Sequence, residues 1–423
     1  MSRSLHFVLV TSLAALAVRS ALGCADGITP PPSTSSTNDV DASDGAVDAS
    51  EEDAPVDAPS AVPTCSADGW CYTKLPAAGS FDAGGILPDP SGVRFALSSV
   101  WASSEHRAWA VSRAGHVLQW NGTEWKVELV VGAGLNSVWG VSATDVWVAG
   151  DTGLLLHGTD TGGGMTFQPV SIGTTQSIAR VWGTSASDVW IIADRAYHLT
   201  AETAGTATPF VEVTLPSNFG DAVAFIRPTA VWGTPNETWF AGTESSFCAP
   251  PSCTNASQLF AARRRVGAGG AVTWDTVPMP IADATKVVSG ASTSSGVQVL
   301  ALATRLFDTA FAARIADDAS KLDPKDGPIT VNGSHAWSFE VAEAYGQPTA
   351  LWGREEDDVW LVGQSGVVRR FDGDGWQLVR VARTALSPLA SNLNGIDGFV
   401  APTGEREMWI VGEDVALRRE VKP

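Results

Sequence analysis

Basic residues are scarce in this chain. Its 423 residues include 27 Lys plus Arg against 46 Asp plus Glu, a formal net charge of -19. A surface this acidic cannot neutralise a run of phosphates, which argues against nucleic acid as a partner. Methionine and tyrosine are few, at 4 and 3, whereas Trp reaches 17, Gly 42 and Pro 24. Many Trp and Gly with few long helix formers point to β-structure with frequent turns. The five Cys lack metal-type spacing to His, so no metal and no cofactor is expected. The length is too great for one small core; it suits one large repeat domain or two ordinary ones.

The N-terminal apolar run, Phe7 to Val18, is also too short to cross a bilayer. Behind Arg3 and ahead of Ala21-Leu22-Gly23-Cys24 it has the form of a signal-peptide core, so residues 1–23 read as a signal peptide. The small residues before Cys24 resemble the bacterial lipobox, which implies acylation at Cys24 and a membrane anchor. The pattern departs in one place, with Ala21 where the family prefers Leu. Plain secretion with Cys24 as an ordinary thiol is the other reading. By the same resemblance, Ala25 after the Cys implies outer-membrane sorting. The expected location is therefore outer membrane or cell surface, with periplasmic or secreted as alternatives.

Residues 24–64 are low in complexity. They hold Pro30-Pro31-Pro32, nine acids from Asp26 to Asp57 and neither Lys nor Arg. Such a segment buries almost nothing and repels itself, so it reads as a disordered acidic tether.

Residues 65–423 repeat. Ser137-Val138-Trp139-Gly140 runs on to Asp145-Val146-Trp147, Arg180-Val181-Trp182-Gly183 to Asp188-Val189-Trp190, and Ala350-Leu351-Trp352-Gly353 to Asp358-Val359-Trp360. Trp101 with Trp109, and Trp232 with Trp239, repeat the pattern, and weaker copies start near Ser289 and Asn394. Taking 101, 139, 182, 232, 289, 352 and 394 as the first-Trp places gives a period of 38 to 63 residues. That is the length of a four-stranded propeller blade with variable loops. Strand a carries the first Trp and strand b the second. A Gly turn leads to strand c, and strand d opens on an aromatic: Trp125, Phe167, Phe210, Trp274, Trp337 and Trp376. The seventh blade ends without a strand d. The missing strand lies at the other end of the domain, in Asp68 to Pro76 around Trp70. The expected fold is all-β: a seven-bladed β-propeller of four-stranded antiparallel blades, the last closed by an N-terminal strand, which removes an exposed sheet edge. A monomer is expected.

The repeats resemble those of bacterial secreted and lipoprotein β-propellers, grouped loosely with sialidase-type repeat propellers, and more distantly tectonin-type lectin repeats. The resemblance implies the fold and says little of activity, because propellers host many functions. Sialidase chemistry would need an arginine triad, a Tyr–Glu pair and Asp-boxes. Phe225-Ile226-Arg227-Pro228 exchanges two letters of the sialidase motif, and Tyr197 and Tyr345 have no identifiable Glu. His157 and His198 fall out of step between blades, so no ring of equivalent His is expected. No catalytic residue is assigned. A non-catalytic envelope lipoprotein that binds a glycan or protein is the leading expectation. A glycan-active hydrolase with a degenerate site, or a lectin, is the alternative.

Four further readings concern particular residues. Cys65 with Cys71, and Cys248 with Cys253, are expected to bridge in an oxidising compartment. The face of the b–c and d–a loops, with Phe219, Phe225, Arg227 and Phe247, is the candidate ligand face. Strand c carries Arg264, Arg369, Arg370, Arg418 and Arg419 on later blades. They read either as solvated partners of neighbouring acids or as a basic arc that docks anionic glycolipid or the tether. The repeated Asp145, Asp188 and Asp358, with Glu237, are expected to cap a–b turns through backbone N–H groups, and the repeated Trp to pack between blades.

Overall fold

A computed structural model describes residues 65–76, 92, 94–104, 106–219, 224–246, 256–279, 284–304, 310–323, 329–332, 335–342, 346–384 and 387–421. The chain divides into two units, Met1–Pro59 and Ser60–Pro423, and every described residue belongs to the second. The signal peptide, the tether, Cys24, Tyr345, Phe247, Cys248 and Cys253 lie outside the described residues.

The second unit is a seven-bladed β-propeller of antiparallel sheets. Blade one runs Leu97–Ser104, Arg107–Ser112, His116–Trp120 and Trp125–Val130 as strands a to d. Blade two begins at Leu135–Ser142, blade three at Arg180–Ser185, blade four at Ala224–Thr234. Blades five, six and seven begin at Ala284–Ser292, Pro348–Glu355 and Leu393–Val400. Blade five carries a fifth strand, Thr330–Asn332, outside its strand d.

The repeat motif sets how neighbouring blades meet. In several blades the strand d aromatic stands edge-on against the strand b indole of the blade before it. Phe167 lies 6.1 Å from Trp109, Phe210 5.5 Å from Trp147, and Trp125 5.2 Å from Trp409, all near perpendicular. Such pairs contribute about 0.5–1.5 kcal/mol beyond the area they bury. Nearer the axis, the strand a indoles Trp101, Trp139 and Trp352 lie over the glycine that follows the next blade's first-Trp place. A Cβ at Gly140 would come 2.7 Å from Trp101, and one at Gly183 2.8 Å from Trp139. The Trp-Gly pair in the motif is thus a contact between blades rather than a turn.

Register corrects two first-Trp places. In five blades the strand a and strand b indoles face each other, as Trp139 faces Trp147. In blade seven Trp409 faces Asp397, three residues beyond the expected Asn394. In blade five Ser289 donates to Leu351 O as Ser137 donates to Val181 O. Ser289 therefore matches Ser137, and the Trp place is Ala291, opposite Val299. Gly290 and Gly395 therefore precede the Trp place of their blades, where Gly140 and Gly183 follow it.

The ring closes as expected. Cys71–Tyr72 pairs with Val415–Val421, with Cys71 opposite Arg418 and Tyr72 opposite Leu417. Thr73 extends the contact, its N–H and hydroxyl both donating to Ala416 O at 2.9 and 2.8 Å. Its hydroxyl also accepts from Trp125 Nε1 of blade one at 3.0 Å. This strand is shorter than the sequence suggested, because Asp68 and Gly69 turn and a Cys65–Cys71 disulfide ties the turn to the strand. Trp70 is fully buried and meets Trp360 of blade six edge-on at 5.6 Å, repeating the contact made by Phe167, Phe210 and Trp125. Trp70→Ala should cost about 3–5 kcal/mol in urea unfolding, because the cavity opens in a rigid interface. A cost below about 1 kcal/mol would mean that this aromatic does not fasten the last blade.

Candidate functional site

Strand a of every blade faces the axis, where a cavity of about 370 Å³ opens. All seven first-Trp places line it: Trp101, Trp139, Trp182, Trp232 and Trp352 supply indoles, Ala291 and Asp397 the remaining two places. The strand a indoles are not all spent on packing, since Trp101, Trp139 and Trp182 remain partly exposed. Two residues earlier, six blades carry small side chains: Ser99, Ser137, Ala230, Ser289, Ala350 and Gly395. The hydroxyls of Ser99 and Ser137 accept there from the next blade's Val138 and Val181 N–H, at 3.3 and 3.1 Å. Blade three breaks the rule with Arg180.

Two of the breaks are charged and face the same cavity. Asp397 accepts from Ala102 N of blade one at 2.7 Å. Burial pushes its carboxyl up to about 7, against the pull of the Ala102 and Gly398 N–H groups and of Arg354. Burial lowers the pKa of Arg180. Lys286, one residue above the Val287 that matches Leu135 in register, stands where strand a of blade five leaves the channel. Crowding by protein, then the Arg180 charge, lower its ammonium pKa, although its side chain opens to solvent.

Blade four rises beside this mouth. Its first three strands are 11, 10 and 11 residues long, against 6, 5 and 5 in blade three. Ala224 to Arg227 carry strand a well beyond the short strand a of blade three, paired with Thr243–Ser246, whereas strand a of blade five, Ala284–Ser292, reaches nearly as far. Phe225 and Arg227 were expected on a loop; they lie on this extended strand, both exposed, with the guanidinium 5.9 Å from the ring centre. Buried Glu244 organises the base, accepting from Ser217 Oγ, Asn218 N and Gln258 Nε2 at 2.9, 3.0 and 2.8 Å. That holds the connection bearing Phe219 against the blade. Phe219, Phe225 and Arg227 are therefore brought onto one blade.

The repeated acids have another role than the expected turn caps. Asp188, Glu237, Asp358 and Glu407 each accept from the indole N–H two residues on, at 2.6 to 3.1 Å. The turns are held instead by serines, as Ser142 Oγ accepts from Thr144 N. A strand c His or Arg completes each unit by lying over the same indole. His157 stacks on Trp147 and His198 on Trp190, at 4.0 and 3.6 Å. Arg263, Arg370 and Arg418 cover Trp239, Trp360 and Trp409 at 5.0, 5.6 and 5.7 Å. These side chains also reach the acids, with His198 at 2.6 Å from Asp188 and Arg370 at 2.9 Å from Asp358. Burial raises the Asp188 pKa, but hydrogen bonds from His198 and Thr184 and the His198 charge bring it below the usual carboxylate value. His157 and His198 are equivalent after all, each opposite its strand b Trp, and arginine takes that place in later blades.

These stacks account for much of the strand c arginine. Arg370 and Arg418 serve their own blade. Arg264 lies 5.7 Å over Trp190 of blade three and Arg419 5.0 Å over Trp360 of blade six. Arg369 donates to Trp376 O. The arc is made of internal partnerships, in line with the paired reading. Near it, His106, Glu407 and Glu420 gather ligand-type atoms within 4.8 Å. Arg418 donates into that cluster, to Glu407 at 3.0 Å and to Glu420 at 2.5 Å, so its charge stands where a cation would.

No family model matches the sequence, and no curated protein matches it. Solved structures do match in fold. YCF48 bound to D1 peptide superposes with a TM-score of 0.54 at 15% identity, covering 86% of this chain and 100% of that one. YCF48 from Cyanidioschyzon merolae gives 0.53 at 12% identity, covering 83% and 98%. The WD40 repeats of RRP9 give 0.50 at 9% identity, covering 82% and 100%. At such identities the likeness is one of fold.

The raised Asp397 pKa has a measurable consequence. Between about pH 4 and pH 7 the folded state keeps a proton that the unfolded carboxyl has released, so stability falls as pH rises through that window. Asp397→Asn removes the titration and retains an acceptor for Ala102 N–H. It should raise the melting temperature most above about pH 7, with the gain shrinking to nothing near pH 4. A gain that ignores pH would contradict the assignment.

Proposed function

We propose that this protein is a non-catalytic binding propeller of the bacterial cell envelope. A lipid on Cys24 would hold it at the membrane, and residues 24–64 would act as the tether. Its ligand on this reading is a protein segment, taken at the face where the central channel opens beside blade four. The carrying observation is the raised wall of blade four next to a channel lined with partly exposed indoles. A rigid scaffold with one element raised beside a concave mouth suits the recognition of an extended segment. YCF48, which shares the fold, has been solved bound to D1 peptide, so a propeller of this kind can take a peptide.

The experiment compares the purified protein on an array of random short peptides and on an array of envelope glycans. The same arrays are then probed with the double variant Phe225→Ala, Arg227→Ala. Specific peptides should bind, and the double variant should weaken them by about tenfold or more, the loss expected for an aromatic and arginine anchor. Binding of glycans without peptides would replace this reading with a lectin. Peptide binding that ignores the double variant would move the site away from blade four.

A further inference from the structure

The repeat explains small residues in the Arg180 place and does not explain Arg180. A serine there accepts a hydrogen bond from the next blade, as Ser137 does from Val181 N. A guanidinium has no acceptor and cannot do so. Arg180 instead brings a permanent charge into the channel, where burial works against it. Its Nη1 reaches Ala179 O at 3.4 Å, a neutral acceptor. Among the described residues, no carboxylate acts on Arg180 or on Lys286, and the Arg180 charge bears on Lys286. Asp397, in the same cavity, answers to Arg354. Two cations drawn together with no acid beside them among the described residues, in a protein of net charge -19, are an arrangement that internal stability does not favour. An anion from outside would resolve it.

The shape selects the form of that anion. Seven strands enclose the channel, so a passing chain can lie across the mouth but only a chain end can enter. The cavity, at about 370 Å³, is at the small end for a ligand site. Beyond Arg180 lie the indoles of Trp139 and Trp182, which offer faces to an apolar or aromatic side chain.

We propose that the channel mouth binds the free C-terminal carboxylate of a peptide, with Arg180 as its bidentate partner and Lys286 as the second charge. The last side chain of the peptide then meets the indole ring, and the preceding residues leave along blade four, where Arg227 is exposed. This deepens the peptide-binding reading above and rests on it. Arginine suits the role because its planar fork matches a carboxylate with two parallel hydrogen bonds.

The test uses one pool of random short peptides prepared twice, with free C-terminal acids and with C-terminal amides. Each is passed over the immobilised protein, and retained peptides are counted by mass spectrometry. Wild-type protein should retain acids over amides by about tenfold or more. Arg180→Ser, which installs the residue that blades one, two and five already carry, should abolish that preference at an unchanged melting temperature. Arg180→Lys keeps the charge without the fork and should retain only part of it. Equal retention of acids and amides, or a preference that survives Arg180→Ser, overturns the carboxylate site while the peptide-binding reading stands. Retention of neither pool overturns both.

Discussion

The strand b indole is the contact on which the ring depends. On one side it carries its own blade's acid and strand c His or Arg; on the other, at Trp109, Trp147, Trp360 and Trp409, it receives the next blade's strand d aromatic. Trp360 shows both at once. It donates to Asp358, lies beneath Arg370, and meets Trp70 edge-on. The indole N–H and the cation keep each acid satisfied even where it is buried, as Asp358 and Glu407 are. Loss of one member strands the others, so these units couple the inside of a blade to the interface between blades. That coupling explains why the motif places an acid two residues before the Trp, with no need of a ligand.

Once the repeat is understood as packing, departures from it stand out. Ala291 and Asp397 interrupt the ring of strand a indoles, and Arg180 interrupts a ring of small residues. Both charged departures face one cavity, and the raised blade four stands between blades three and five, which carry Arg180 and Lys286. A closed ring can carry such departures at its axis because the load between blades falls further out, on strands b and d. Function on this scaffold is therefore sought where the repeat fails, and the channel mouth is where its charged failures gather.

Much of the fold was legible in the sequence because the interblade contacts use one rare residue at fixed spacing. Seven strand sets, the aromatic at the head of strand d and closure through Trp70 could be counted directly. The site was less legible, for physical reasons. Asp397 and Ala291 occupy Trp places through strand register, which a glycine-based match in the two weakest copies misassigned. His157 and His198 differ in their distance from the second Trp because blade two has a longer b–c turn, so linear spacing hid their common partner. Arg180 was visible inside a repeat, yet only the pattern of small residues in the six other blades marks it as an exception. Phe225 and Arg227 looked like loop residues because no sequence signal announces that blade four is taller than blade three.

The central claim is that residues near Trp70 complete the seventh blade and so make the channel a closed, rigid mouth. Hydrogen exchange of the Val415–Val421 amides, read residue by residue, tests it most directly. If Cys71–Thr73 is the outer strand, the amides of Val415–Val421 that face it should exchange as slowly as the equivalent amides of Val368–Phe371 in blade six, which lie inside a complete sheet. Exchange of those outward amides at the rate of an open sheet edge, with Val368–Phe371 still protected, would contradict the closed ring.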